Sequence, residues 1–270
     1  MDIAILIPIA ILGGMGFVFA VGLAYASKRF AVEIDPRVEA VEEALASVNC
    51  GSCGFPGCKG YAEAVVAEEV DIHQCAPGGA DTLRALADIM GIEITDVVSK
   101  LAVAQCRGGY EYAQSKFTYD GLHDCRAAQM VSAGFKACTY GCLSMGSCAK
   151  ACPFNAITIS EDGLPVVDEE KCTACGICVS TCPRDIMTLV PMTQEVYVGC
   201  VNKDRGRGVK AICEIGCIAC RLCVRKNPEG EEGIEMGDNL PIMHYEKLPS
   251  WPEANEVCPQ DCFVFRKPTA

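Results

Sequence analysis

The N-terminal segment of the chain is an unbroken apolar run. Residues 3–26 hold no charged side chain and are long enough to cross a hydrocarbon core as a helix. Gly16, Ala20 and Ala24 recur every fourth residue and form a small-residue face suited to packing against partner helices. Lys28 and Arg29 follow directly, which by the positive-inside rule places the body of the chain in the cytoplasm. Ala24-Tyr25-Ala26 has the form of a signal cleavage site, but the segment has no basic leading region and its apolar run is too long for a signal. Beyond the anchor the pattern breaks into short elements. Residues 35–47 read as an acidic helix opened by Pro36, and residues 60–71 as a second helix. Residues 81–90 read as a third, with Leu83, Leu86, Ala87 and Met90 on one side and Gly91 as its stop. Residues 95–104 show a similar helical period. Three short apolar runs at 157–159, 165–167 and 186–190 read as small strands.

Cysteine changes this picture, because the 270 residues include 21. The chain reads C-x3-C-x5-C-x3-C-P through Cys138, Cys142, Cys148, Cys152 and Pro153. It then reads C-x2-C-x2-C-x3-C-P through Cys172, Cys175, Cys178, Cys182 and Pro183. In this bacterial-ferredoxin run the cysteine before proline ligates the partner cluster. Crosswise pairing therefore groups Cys152 with Cys172, Cys175 and Cys178, and Cys182 with Cys138, Cys142 and Cys148, as two [4Fe-4S] sites. Cys50, Cys53 and Cys58 lie in a glycine-rich loop, with Cys75 beyond the next helix, and make another four-thiolate set in which His73 is a local hydrogen-bonding residue. Tetrahedral zinc is the rival metal, but it does not call for crosswise cysteine–proline pairing. A disulfide framework belongs to an oxidising compartment instead.

A second ferredoxin-like repeat starts at Cys217, Cys220 and Cys223, with Asn227-Pro228 where Cys-Pro is expected. Counting back from Cys258-Pro259 by the same spacing lands on Leu248, Trp251 and Ala254. One site thus keeps all its thiols (Cys217, Cys220, Cys223, Cys258), and the other has lost all of its own, with Leu248 and Trp251 filling the vacated volume. Four clusters are expected from these sixteen cysteines. Cys106, Cys125, Cys200, Cys213 and Cys262 remain. The first four could meet across the domain junction as a fifth cluster, or all five could be buried soft hydrophobes.

The net charge of −12 excludes a basic nucleic-acid-binding body. A basic island (Lys203, Arg205, Arg207, Lys210, Arg221, Arg225, Lys226) stands out against it. Arg205, Arg207 and Lys210 are candidates to steer an acidic redox partner into place, against the alternative of a solvated loop. There is no Walker loop, no dinucleotide fingerprint outside the apolar segment and no nucleophile constellation, so the chain offers no complete active site of its own.

These features predict an α+β chain. A transmembrane anchor spans 1–30, a helical [4Fe-4S] domain 31–100 and a linker region 101–135. A ferredoxin-like domain with two clusters follows over 136–192, and a degenerate ferredoxin-like domain with one cluster over 193–270. The anchor, the N-C-G-S-C-G-F-P-G-C loop from Asn49, D-C-R-A-A from Asp124, C-T-Y-G-C-L-S-M-G-S-C from Cys138 and the ferredoxin repeats occur in this order. In that combination the chain resembles the B subunits of Rnf complexes over essentially its whole length. The resemblance implies an electron-transfer subunit of a membrane-bound, ion-translocating ferredoxin:NAD+ oxidoreductase. Such a subunit accepts electrons from reduced soluble ferredoxin and relays them toward NAD+ reduction coupled to Na+ or H+ transport. It implies flavin- and NAD-binding partner subunits, and a single-pass location in the inner membrane of a bacterial or archaeal cell. The alternative class is a free-standing membrane-anchored polyferredoxin that acts as a redox sensor or binding module.

Overall fold

The structure, a computed structural model, describes residues 3–30, 35–94 and 98–266, with the side chains of the first helix described from Ile11 onward. That helix, α1 (Ile3–Arg29), is 27 residues long, or about 40 Å at the usual helical rise. Phe17, Leu23 and Tyr25 are 71%, 70% and 72% exposed on its surface, and Lys28 and Arg29 close its last turn. Among the described residues it is the one helix long and apolar enough to cross a membrane.

A small helical unit follows. Asp35 caps α2 (Pro36–Ala44) by accepting from the Arg37 amide at 2.9 Å, with Pro36 in the first turn where its missing N–H costs nothing. α3 (Cys58–Val66) and α4 (Gly79–Met90) pack against it, and Gly91 ends α4 in the left-handed conformation at φ 67°. Val41, Tyr61, Val65 and Leu86 form the centre of the shared core. The Tyr61 hydroxyl, inside that core, donates to the Asp71 carbonyl at 2.8 Å.

The remainder is one plan used twice. The first unit contains β1 (Lys100–Ala104), α5 (Cys125–Met130), α6 (Ser147–Ala151), β2 (Ile157–Ile159), β3 (Pro165–Val167), α7 (Ile177–Thr181) and β4 (Met187–Pro191). The outer strands β1 and β4 pair antiparallel, with Ala102 opposite Leu189, and β2 pairs with β3 as an inner hairpin. The second unit contains β5 (Val196–Val198), α8 (Gly206–Lys210), α9 (Leu222–Lys226), β6 (Ile234–Gly237), β7 (Leu240–Met243), α10 (Ala254–Val257) and β8 (Phe263–Phe265). Here β5 pairs with β8, and β6 with β7. The two outer sheets share an apolar patch of Leu101, Val103, Val190 and Tyr197. The nearly buried Arg266 also reaches back to Glu169 of the first unit with two 2.8 Å hydrogen bonds.

Two expectations change. Residues 98–104 are not helical; Lys100–Ala104 is a strand, while 95–97 lie outside the described residues. Leu101, Ala102 and Val103 are buried in succession, and such a short apolar run has no period that separates strand from helix. Nor is 101–135 a linker. It holds the first outer strand, then an excursion pinned by bridges from Ala113 to Cys213 and from Ser115 to Lys136.

In the second unit, Leu248, Trp251 and Ala254 are buried in one core with Val196, Ile234, Met243 and Phe263. The Trp251 and Phe263 rings meet edge-on with centroids 5.5 Å apart. Asn227 is buried beside them. Its amide nitrogen donates to the Cys223 and Val224 carbonyls at 2.9 and 3.0 Å, and its oxygen accepts from the Glu229 amide, so it caps α9. Side chains therefore occupy the positions where a second set of thiols would stand. Leu248→Ala is expected to cost about 2–5 kcal/mol of stability in this unit. The measurement is the urea midpoint of the single tryptophan's fluorescence, which falls if Leu248 supports the core and stays put if it does not.

Candidate iron–sulfur sites

Each cluster loop is shaped by left-handed residues at fixed places. In the run from Cys172, Ala174 has φ 55° and Gly176 φ 77°; in the run from Cys217, Ala219 has φ 55° and Arg221 φ 62°; in the run from Cys142, Ser144 has φ 59° and Gly146 φ 70°. Gly146, Gly176 and Arg221 then cap the one-turn helices α6, α7 and α9. After each Cys-Pro the pattern recurs, with Asn155, Asp185 and Asp261 at φ 51°, 51° and 45°. In two of the three, the next amide turns back to donate to the cysteine sulfur: Ala156 to Cys152 and Cys262 to Cys258, both at 3.4 Å. Such N–H···S contacts support a thiolate and tune a cluster's potential.

This register aligns Cys142, Cys148 and Cys152 with Cys172, Cys178 and Cys182, and places Met145 opposite Cys175. The first half is thus the ordinary C-x2-C-x2-C-x3-C run with methionine at its second position.

The cavities follow from that register. One, of about 310 Å³, is lined by Cys152, Cys172, Cys175 and Cys178, as crosswise pairing predicts. The next, of about 410 Å³, is lined by Cys142, Cys148, Cys182 and Cys125, not Cys138. Cys125 takes the place Met145 leaves. It opens α5, whose cap Asp124 accepts from the Arg126 and Ala127 amides and from the Ser147 hydroxyl at 2.8 Å, while Ser147 accepts from the Cys125 amide at 2.8 Å. Met145 packs against the same apolar cluster as Cys125.

Cys138 lines a third cavity of about 370 Å³ with Cys106, Cys200 and Cys213. The two units build it in matching ways. Cys106 and Cys200 each lie two residues beyond an outer strand, β1 and β5. Cys138 and Cys213 each begin C-x-x-G-C, ending at Cys142 and Cys217. The Cys142 amide donates to the Cys106 sulfur at 3.4 Å and the Cys217 amide to the Cys200 sulfur at 3.3 Å. Gly108 lies so close to this site that an added Cβ would stand 3.2 Å from the Cys213 sulfur and 3.3 Å from the Ala113 Cβ. Asn202, buried, donates to the Cys138 sulfur at 3.5 Å. So the four leftover cysteines do not meet as one set: Cys125 and Cys138 exchange places relative to the sequence expectation.

A fourth cavity, of about 360 Å³, is lined by Cys217, Cys220, Cys223, Cys258 and Cys262. The Cys262 thiol faces Cys217 and Cys258, lowering both, with Cys258 down to about 6, while Cys262 itself is pushed up. The Cys262 S–H also lies within reach of the Ile215 carbonyl at 3.5 Å and the Gln260 carbonyl at 3.7 Å. Of the N-terminal set, Cys53, Cys58 and Cys75 pack at the edge of the helical core, and the Cys58 amide donates to the Asn49 side chain at 2.8 Å. Burial raises the Cys175 thiol, and the neighbouring Cys152 and Cys50 raise it further. His73 bonds locally to Asp71.

Elsewhere burial dominates: it holds Cys142, Cys178, Cys200 and Cys223 up at about 12. All 21 cysteines are free thiols. Among the described residues no three His, Cys, Asp or Glu side chains converge on a single ion. Four thiols that line a cavity without converging on one point suit a polynuclear cluster better than one zinc ion.

The arrangement defines a class: an iron–sulfur protein with a ferredoxin-type dicluster domain and a membrane-length helix. Two family models match, "Putative Fe-S cluster" over residues 45–77 and "4Fe-4S dicluster domain" over residues 137–186. The B subunit of the Na(+)-translocating ferredoxin:NAD(+) oxidoreductase complex of Acetobacterium woodii is 46% identical, covering 96% of this chain and 77% of its own length. The B subunit of the ion-translocating oxidoreductase complex of Methanosarcina acetivorans is 35% identical over 96% and 97%. The B subunit of the proton-translocating ferredoxin:NAD(+) oxidoreductase complex of Clostridium ljungdahlii is 40% identical over 75% and 72%. The chain belongs to the family of B subunits of ion-translocating oxidoreductase (Rnf) complexes.

Proposed function

We propose that this protein is an electron relay of five [4Fe-4S] clusters, carrying electrons from reduced ferredoxin toward NAD+ reduction coupled to Na+ or H+ transport. The ligand sets are Cys50, Cys53, Cys58 and Cys75 in the helical unit, and then, in the order in which their segments adjoin, Cys152, Cys172, Cys175 and Cys178; Cys125, Cys142, Cys148 and Cys182; Cys106, Cys138, Cys200 and Cys213; and Cys217, Cys220, Cys223 and Cys258. The observation that carries this reading is continuity. α6 and α7 each run between the second and third sets, and the C-x-x-G-C segments at Cys138 and Cys213 tie the fourth to the third and the fifth. When bound, each cluster supplies one-electron storage; the protein supplies position and electrostatics. The flavin and NAD chemistry belongs to other subunits. The anchor crosses the inner membrane once with the body in the cytoplasm, supported by Lys28 and Arg29 at its end.

Iron counting tests the ligand sets. Five clusters give about 20 Fe per chain, and Cys106→Ser or Cys213→Ser lowers this to about 16, whereas Cys262→Ser leaves it unchanged. A count near 16 in the unaltered chain removes the fourth set.

Electron entry is tested by anaerobic mixing of the intact complex with reduced ferredoxin. The cluster absorbance should bleach within the turnover time, and clusters that stay oxidised would contradict the relay.

The ferredoxin docks at the far end, over the basic island. Arg205, Arg207 and Lys210 are exposed there, and among the described residues none of them forms an ion pair, unlike Lys203, which binds Asp238 at 3.1 Å. Arg205→Glu with Arg207→Glu should slow cluster reduction severalfold at low salt and little at high salt, since steering is screened. An equal rate at both salts places docking elsewhere.

A further inference from the structure

The middle of the body holds two buried cations. Lys136 is 0% exposed and Arg184 7%. Among the described residues neither forms a salt bridge with a carboxylate. The Lys136 ammonium donates to the Gly108 carbonyl at 2.9 Å and stands 5.1 Å from the centre of the Tyr110 ring. Arg184 spends its fork on neutral groups. Nη1 donates to the Cys138 and Gly141 carbonyls, both at 2.7 Å, Nη2 to the Ala133 carbonyl, and Nε to the Gln129 side-chain oxygen at 2.7 Å. Carbonyl dipoles solvate a cation in part, but a buried ion without an opposite charge is strongly unfavourable.

Thiols of the middle sites lie near both cations, and the half-buried Arg107 lines the junction cavity as well. Gly108, which holds Lys136, lies against the Cys213 and Cys106 sulfurs. Arg184 lines the Cys125–Cys182 cavity while binding the carbonyl of Cys138, which belongs to the junction set. The flanking sites lack this feature. The lining of the Cys172 cavity includes no cation, and the one cation at the Cys217 cavity, Arg221, is exposed to water. Both cations come from the first unit, so the asymmetry breaks the otherwise matched construction of the junction.

We propose that Lys136 and Arg184 are the built-in counter-charges of the two middle cluster sites, raising their reduction potentials above those of the clusters on either side. This rests on the five-cluster reading. Reduction adds one electron to a cluster and makes or breaks no protein bond, so the added negative charge meets a fixed cation in a poorly screened interior and the reduced form gains. Two adjacent sites of raised potential hold two electrons in mid-relay. A hydride acceptor needs two, whereas a ferredoxin-type donor delivers them singly.

The test is a redox titration of the full chain followed by electron paramagnetic resonance, with iron counted on the same sample. Lys136→Met should lower one cluster's midpoint enough to shift its reduced-to-oxidised ratio at least tenfold at fixed potential, about 59 mV for one electron, while Lys136→Arg keeps the original midpoint. Gln129→Glu gives a second variant of nearly unchanged shape, because it sets a carboxylate against the Arg184 Nε and should lower a midpoint in the same direction even if Lys136→Met loses iron. Unchanged midpoints in both variants at full iron content overturn the proposal. An unaltered chain with about 16 Fe would instead overturn the junction site itself, so the two failures are told apart.

Discussion

The constraint on which the rest depends is that cysteines a few residues apart face different cavities. Cys148 and Cys152 are separated by one turn of α6, yet they line neighbouring sites, and Cys178 and Cys182 do the same across α7 in the opposite sense. Cys138 and Cys142, and again Cys213 and Cys217, split over three intervening residues. No site can therefore be moved, lost or reshaped without shifting the backbone of its neighbour. The left-handed residues in each loop make this geometry possible. They turn the chain around a sulfur cage where neither helix nor strand would bring the thiols inward, and ordinary residues such as Ala174, Ala219 and Arg221 accept that strain.

What the sequence made legible was the local spacing. The strands at 157–159 and 165–167 rest on short-range rules, and the structure has them at those residues; the same kind of rule groups Cys172, Cys175 and Cys178, which line one cavity, and singles out Leu248, Trp251 and Ala254, which are buried in one core. The miss at Cys138 and Cys125 has one origin. An unbroken count of cysteines gives C-x3-C-x5-C-x3-C, whereas a count of backbone turns gives C-x2-Met-x2-C-x3-C with the second thiol supplied from α5. The signal was present in Met145-Gly146, which matches Cys175-Gly176, but cysteine counting passes over a position that holds no cysteine. The supposed linker failed for a related reason: a strand whose partner lies about 90 residues further on carries no local mark of that pairing.

The junction cavity shows why duplication matters here. A single ferredoxin unit has an outer strand whose end is free to continue, and each unit continues it by an excursion that brings two cysteines to the junction, the first unit's carrying Cys125 as well. Alone, either excursion offers half a site. Face to face, Cys106 and Cys138 meet Cys200 and Cys213, and the Arg107 amide donating to the Gly199 carbonyl at 3.1 Å ties the two strand exits together. In the second unit Leu248, Trp251 and Ala254 fill the core at the places where the ferredoxin spacing would set a further group of thiols. The cavity between the units is instead lined by four cysteines, two from each unit. One unit alone can close its own core over a position without thiols, whereas the junction cavity exists only where both units contribute.

Charge follows the same geometry. The body is acidic overall, a basic island flanks Cys217, Cys220 and Cys223 in the sequence, and two buried cations, Lys136 and Arg184, lie in the first unit. Exposed cations act through water, and their field fades with salt. Buried cations act in a medium that screens them weakly, so their effect on a neighbouring charge depends little on salt. The chain separates these two kinds of cation, with exposed ones on and beside α8 and α9 and the buried pair in the first unit.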